Sequence, residues 1–254
     1  MPCMPAAQHL YFTGWGPALE SLLIPGALAL AAFLRGSVSV SGAVGGWVMA
    51  AVIYAALGWR GLAIPLTFFI LSDLATRFGY EQKAARGIAQ EHGGKRSARN
   101  ALAKVSAGVI AALLARAYGS PPWLVAFAAT FTTACTDTVS SEIGKAIGRR
   151  TVNPITFKPV PPGTEGAVSM EGTVAGIVAA FSCAAVAGAI GHFPREVVFQ
   201  AVAATALAGI IGNWLESLLG SVLGEGFSNE VINFFNTVIR GVLGWILMAW
   251  ALKP

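Results

Sequence analysis

Charge is what this sequence has least of. Asp, Glu, Lys and Arg make up 11% of its 254 residues, where a soluble domain carries about 25%. Hydrophobic residues fill 55% of the chain, and its mean hydropathy is +0.66. That balance excludes an ordinary soluble domain. A long apolar/polar alternation with aromatic girdles is also missing, which excludes a transmembrane barrel. The three cysteines, Cys3, Cys135 and Cys183, have neither an even count nor metal-ligand spacing, so neither a disulfide framework nor a zinc site is expected. They read as reduced, packed thiols. The opening "MPCMPAAQHLYFTGWGP" lacks the basic region and small-residue cleavage site of a secretory signal, so the amino terminus is expected to be retained. Low-complexity tracts and internal repeats are absent too.

What the chain does have is apolar runs of membrane length. They extend approximately from Pro17 to Leu34, Ser41 to Leu57, Leu62 to Ala75, Ala101 to Tyr118, Pro122 to Ser140, Gly172 to Gly191, Val197 to Leu223 and Val231 to Leu252. A helical crossing needs about 20 apolar residues, so the expected fold is all-α, a polytopic membrane bundle of about eight segments forming a single domain. The third run is short enough to be tilted or re-entrant. Abundant glycine and alanine suit close helix approach.

If all eight cross, the connections after the first, third, fifth and seventh share one side. That side carries eleven cations, among them Arg35, Arg77, Lys83, Lys95, Lys145 and Lys158, against four on the other: Arg60, Arg116, Arg195 and Lys253. Positive loops mark the cytoplasmic face, so a bacterial-type inner membrane with both termini outside is expected. The net charge of +5 is explained by those loops, without a nucleic-acid partner. Ten of the twelve carboxylates crowd the same side, leaving only Glu20 and Glu196 for the other. A face rich in both signs suits a charged substrate and its metal.

Four stretches supply candidates. In "ACTDTVSSEIGK", Asp137 with Ser141 and Thr138 with Glu142 are i, i+4 pairs that put an acid and a hydroxyl on adjacent helix faces. Asp137 and Glu142 are about 140° apart around a helix, so they meet at one ion only if the helix ends or bends between them. Ionisable residues inside an apolar run are functional candidates, although a solvated helix end would look similar.

The loop "NPITFKPVPPGTEGAVSMEG" has too many prolines for a helix. Gly163 and Gly166 permit turns that aim successive N–H groups at an anion, and Thr156, Lys158 and Thr164 add hydroxyls and a cation. It is not the Walker pattern, and a plain interhelical hairpin is its alternative.

The "QEHGGKRSARNALA" stretch places Lys95, Arg96, Arg99 and Asn100 where they either rest on anionic headgroups or clamp phosphates. In "AGIIGNWLESLLG", Gly209, Asn213, Glu216 and Gly220 share a face, and Glu216 must look into the bundle. Asn229, Asn233, Asn236, Thr237 and Arg240 make a second stripe. The two facing stripes form a candidate site, with helix-to-helix hydrogen bonding as the alternative explanation.

The motifs "GGKRSARNALAKVSAG", "ACTDTVSSEIGK", "PITFKPVPPGTEGAVSMEG", "GIIGNWLESLLGS" and "NEVINFFNTV", in that order over residues 76–240, resemble those of the integral-membrane family catalogued as domain of unknown function 92. That family includes phytyl phosphate kinases of plants and cyanobacteria. This sequence departs from the family pattern at Val139, where a tryptophan is common, and at Glu165, where an asparagine is.

The resemblance implies a kinase that converts an isoprenoid monophosphate to the diphosphate, with CTP as a plausible donor. It implies Mg²⁺ held by Asp137, Glu142 and Glu216. Nucleotide phosphates would meet Lys158, the Lys95, Arg96, Arg99 and Asn100 set, and the loop around Gly163 to Gly166, with Thr138, Ser141, Thr156 and Thr164 nearby. Asn213, Asn233 and Asn236 would orient the acceptor. The partners are then a nucleotide, an isoprenoid monophosphate and membrane lipids, with room for a homodimer. A CTP-dependent cytidylyltransferase and a lipid transporter remain alternatives; the nearly apolar outer half counts against the transporter.

Overall fold

The computed structural model describes the backbone of residues 16–90, 98–223 and 229–253, and the side chains of these except at 16–17, 98–104, 223 and 229–237. Its helices are α1 (Gly16–Leu34), α2 (Val40–Arg77), α3 (Tyr80–Ala85), α4 (Ala98–Tyr118), α5 (Pro121–Ile147), α6 (Met170–Ala189), α7 (Val198–Leu223) and α8 (Asn229–Ala251). Between α5 and α6 a two-stranded ribbon forms from β1 (Thr151–Val152) and β2 (Val168–Ser169). Three helical stretches, Val40–Arg77, Met170–Ala189 and Arg195–Val222, are each long and apolar enough to cross a membrane.

The longest helix is not a rod. Thirty-eight straight residues would span roughly 57 Å, yet the Arg77 guanidinium donates to Arg35 O (3.3 Å) and Ser37 Oγ (3.0 Å), just ahead of the first turn of α2. The break is Gly58, at φ 65° and ψ −164°, a left-handed conformation open to glycine. The chain therefore doubles back into two antiparallel arms, 40–57 and 59–77. These correspond to the second and third apolar runs, and the second arm is as long as the first rather than a short re-entrant piece. Counting the arms, the described residues hold eight long helical segments and the short α3.

Polar contacts sort the segment ends into two groups. Arg35 and Ser37 meet Arg77, the end of α5 meets α3 and the start of α6, and the end of α7 meets the loop ahead of β2. At the far end Arg60 donates to Gly191 O (3.0 Å), and Tyr54 donates to Glu20 (3.1 Å).

α5 is the central helix, packed against α2, α4, α6, α7 and α8. Every residue from Leu124 to Thr136 is buried. Three of its interior threonines satisfy themselves: Thr130, Thr133 and Thr136 donate to the carbonyls of Ala126, Ala129 and Thr132, four residues back. Neighbours come close because they lack side chains. A Cβ on Gly108 would lie 2.5 Å from Phe131, and one on Gly244 2.6 Å from Ala129. Cys135 and Cys183 are buried on α5 and α6, neither in a disulfide.

Candidate functional site

Where α5 ends, the chain builds a small roof. Thr151 pairs with Ser169 and Val152 with Val168, and Val152 also bridges Pro159. This splits the proline-rich loop into two excursions. The first, 153–158, is a tight turn: Asn153 Oδ1 accepts from the N–H groups of Ile155 (2.9 Å) and Thr156 (3.0 Å), and Asn153 N donates to Lys158 O (3.0 Å). It leaves Thr156 and Lys158 exposed, away from the rest. The second, 161–167, folds over α7. Gly166 (φ 70°) sits so close to that helix that a Cβ would lie 2.5 Å from Ser217 O, and its own carbonyl accepts from Ser221 Oγ (3.3 Å). Gly163 (φ 91°) rests on Ile88 in the same way, with 2.7 Å left for a Cβ. Thr164 Oγ1 donates to Pro161 O (2.7 Å), closing the turn.

Beneath this second excursion lies a cleft of about 140 Å³. α5 lines it with Asp137, Ser140, Ser141, Gly144 and Lys145; α6 with Gly172 and Thr173; α7 with Asn213, Trp214, Glu216 and Ser217; the loop with residues 162–169. The starting turn of α6 is capped by Ser169 Oγ, which accepts from Gly172 N (3.2 Å). Ser140 Oγ donates to Asn213 Oδ1 (3.3 Å), tying α5 to α7 across the cleft. Glu216 accepts from the buried Arg240 of α8. Arg240 passes over Gly212, where a Cβ would come within 3.0 Å of its Cγ, and its Nε has no hydrogen-bond partner among the described residues.

The structure thus brings Asp137, Ser141, Gly163, Thr164, Gly166, Asn213 and Glu216 to one cleft. Others lie elsewhere. Thr138 turns its hydroxyl to Ala134 O (2.9 Å) and does not line the cleft. Thr156 and Lys158 are held off by the Asn153 turn. Lys95 and Arg96 fall outside the described residues, as do the side chains of Arg99, Asn100, Asn233 and Asn236.

Glu142 needs a correction. α5 runs unbroken to Ile147, so the 140° between Asp137 and Glu142 is kept and the two do not share an ion. Glu142 is instead buried against Lys83 of α3, whose Nζ lies 2.5 Å from Oε2 and also donates to Thr76 O (2.9 Å) and Ala75 O (3.3 Å). On its other side Lys145 Nζ stands 3.7 Å from Oε1.

Lys145 and Ser140 are among the lining residues that the sequence reading missed. Lys145 follows Asp137 by eight and Ser141 by four, so the same helical spacing that paired the latter two also reached it. Ser140 was overlooked because its partner, Asn213, is 73 residues away.

The donor set fits a hard divalent cation such as Mg²⁺ in a limited way. Asp137 and Glu216 are two carboxylates on one cleft, with the Ser140, Ser141 and Asn213 oxygens beside them; Mg²⁺ takes one or two carboxylates and leaves its other positions to water and phosphate. Among the described residues no group of three His, Cys, Asp or Glu gathers as an all-protein metal cage.

The chain is 37% identical over 204 residues to the uncharacterized membrane protein sll0875 of Synechocystis, covering 78% of this chain and 77% of that one. It is 32% identical to the chloroplastic protein VTE6 of Arabidopsis thaliana, over 94% of this chain and 73% of the relative. The membrane protein MJ0933 of Methanocaldococcus jannaschii is 30% identical, over 89% and 92% of the two chains. No solved structure matches. The model of the integral membrane protein family DUF92 matches residues 23–241, which include every element that lines the cleft. The chain belongs to the DUF92 family of integral membrane proteins.

Proposed function

We propose that the protein is a membrane-embedded prenyl phosphate kinase, which moves the terminal phosphoryl group of a nucleoside triphosphate, CTP in this reading, onto an isoprenoid monophosphate. One observation carries it: three carboxylates, Asp137, Glu165 and Glu216, share a cleft with a glycine-turned loop and an amide–hydroxyl pair at the end of an otherwise apolar bundle. Membership in a family that includes phytyl phosphate kinases supports the same reading. So does Trp214, which lines the cleft while its neighbours Ile211 and Leu215 are exposed on the outer side of α7, an apolar route for the substrate's tail.

The chemistry asks little of a general base. A phosphate oxygen of the acceptor attacks the γ-phosphorus, the bond from that phosphorus to the β–γ bridging oxygen breaks, and the nucleoside diphosphate leaves with the electron pair. The acceptor is already an anion, so catalysis is chiefly positioning and charge stabilisation. Asp137 and Glu216 would hold Mg²⁺, which when bound neutralises phosphate charge. The backbone of residues 163–167 faces the donor phosphates, and Asn213 with Ser140 orients the acceptor. Arg240 keeps the Glu216 carboxylate in place from behind.

All eight long segments cross the bilayer in this reading, with the cleft on the cytoplasmic side, where positive connections gather. Incubating the purified protein with γ- and α-labelled CTP and phytyl, geranylgeranyl or farnesyl monophosphate tests it. Release of CDP with labelled prenyl diphosphate is the expected outcome. Pyrophosphate release would replace the kinase with a cytidylyltransferase, and flux across liposomes without nucleotide would replace it with a transporter.

A further inference from the structure

Among the described residues, the charged groups lining the cleft are Asp137, Glu165, Glu216 and Lys145. Three acids and one base make a poor receptor for phosphates unless the base is well placed, and Lys145 has an unusual support. Its neighbour Glu142 is buried, and the wholly buried Lys83 lies 2.5 Å from the far oxygen of that carboxylate. Lys83 and Glu142 therefore cancel as a close pair. Lys145 stands farther off, 3.7 Å from the near oxygen, with its side chain one-quarter exposed. The trio carries one uncancelled positive charge, and it belongs to the member on the cleft wall.

We infer that Lys145 is a phosphate-binding residue of the cleft, and that Glu142, pinned by Lys83, is the positioning residue that holds its ammonium there. The inference rests on the kinase reading for the identity of the phosphates, but not for the anion site itself. The arrangement has a mechanical logic. Glu142 precedes Lys145 by three on the helix, a favourable order for such a pair. A carboxylate tied to a fixed lysine cannot swing away, so the long Lys145 side chain is tethered near its base instead of sampling solvent. α3 also braces the opposite wall, because Ile88, just beyond it, contacts Gly163 of the loop. Lys145 and the three acids line the same cleft, a polarity that suits a phosphate bridging from lysine to a carboxylate-bound cation.

The test measures binding, apart from turnover. Purified wild-type protein, Lys145→Met and Lys145→Arg are titrated calorimetrically with CTP and, separately, with farnesyl monophosphate, at low and high salt, beside melting temperatures. Lys145→Met is expected to weaken one of the two ligands about tenfold or more with a flatter salt dependence, and Lys145→Arg to restore most of that affinity at an unchanged melting temperature. Loss for CTP assigns the lysine to the donor, and loss for farnesyl monophosphate to the acceptor. Unchanged binding of both ligands by Lys145→Met overturns the inference, even if prenyl phosphate kinase activity is present. A wild type that binds through Lys145 but makes no diphosphate leaves the anion site standing and removes the kinase reading.

For the positioning role, the neutral swap Lys83→Met with Glu142→Leu is expected to melt like wild type while keeping the weakened affinity. Wild-type affinity in that double variant would show that Glu142 does not position Lys145.

Discussion

Two buried ion pairs flank the cleft, and they use the same chemistry for different ends. Glu142 meets Lys83 across the junction of α5 and α3; Glu216 meets Arg240 across α7 and α8. Both acids sit beside apolar helix, and both bases are buried, Lys83 at 0% and Arg240 at 2% exposure. The first pair is closed off. Lys83 spends its remaining hydrogen bonds on Thr76 O and Ala75 O, the carbonyls that α2 leaves open near its end. The second pair is open, since Glu216 lines the cleft. An acid in a membrane helix thus marks a site only when its partner leaves one side accessible.

Breaking the closed pair should give the largest effect. Lys83→Met leaves the buried Glu142 carboxylate with only the more distant Lys145, 3.7 Å away, to offset it; losing a buried partner costs about 3–5 kcal/mol, and the melting temperature in detergent should fall steeply. Adding Glu142→Leu removes the orphaned charge and should recover most of the loss. A single Lys83→Met that melts like wild type would mean the pair is not buried as described.

Opening the other side should leave stability alone and abolish turnover. Asp137 is partly buried on the cleft wall, and Asp137→Asn keeps its shape while removing the charge. Phosphoryl transfer should fall by at least about a hundredfold, on the scale of a lost Lewis-acid contact, with the melting temperature unchanged. Equal turnover would remove Asp137 from the site. Gly166→Ala tests the roof between the two regions. The new Cβ meets Ser217 O at 2.5 Å in a backbone that already has φ 70°, a combined penalty of about 1–3 kcal/mol. The loop can lift to relieve it, so activity is expected to drop by more than the melting temperature shifts.

These pairs also mark how far the sequence could be read. The eight apolar runs were visible because hydropathy is a local property, and so was the angle separating Asp137 from Glu142. The reversal near Gly58 was legible as the gap between the second and third runs, but not that a single glycine in "AALGWRG" makes it or that the arm ends meet at Ser37 and Arg77. Lys83 looked like one more loop cation because its partner lies 59 residues on. Lys158 looked like a phosphate ligand because its loop is rich in glycine and proline; the Asn153 side chain, by closing a local turn, sends it outward. Arg240 was seen as part of a polar stripe, but its pairing with Glu216 needed the crossing of α7 over α8. Local chemistry was legible, and long-range partnership was not.

The smallest predicted effect lies at the far end of the bundle, among polar groups tied into the packing. His192, in the connection between α6 and α7, is buried between Phe127 and Phe193, and its Nε2 lies 3.4 Å from Leu124 O. Burial pushes its pKa down from 6.5 to about 4, aided by nearby Arg60. The unfolded chain therefore takes up a proton that the folded one refuses, and stability is intact above pH 6.5 and lost as the pH falls toward 4. Between pH 7 and pH 5.5 the loss is about 1 kcal/mol. Melting curves of wild type should shift down across that window and those of His192→Phe should shift less, whereas identical pH profiles would show that the ring is hydrated in the folded protein. Because this residue is remote from the cleft, the variant's affinity for CTP at pH 7 should match wild type, which separates the packing end of the bundle from its binding end in a single experiment.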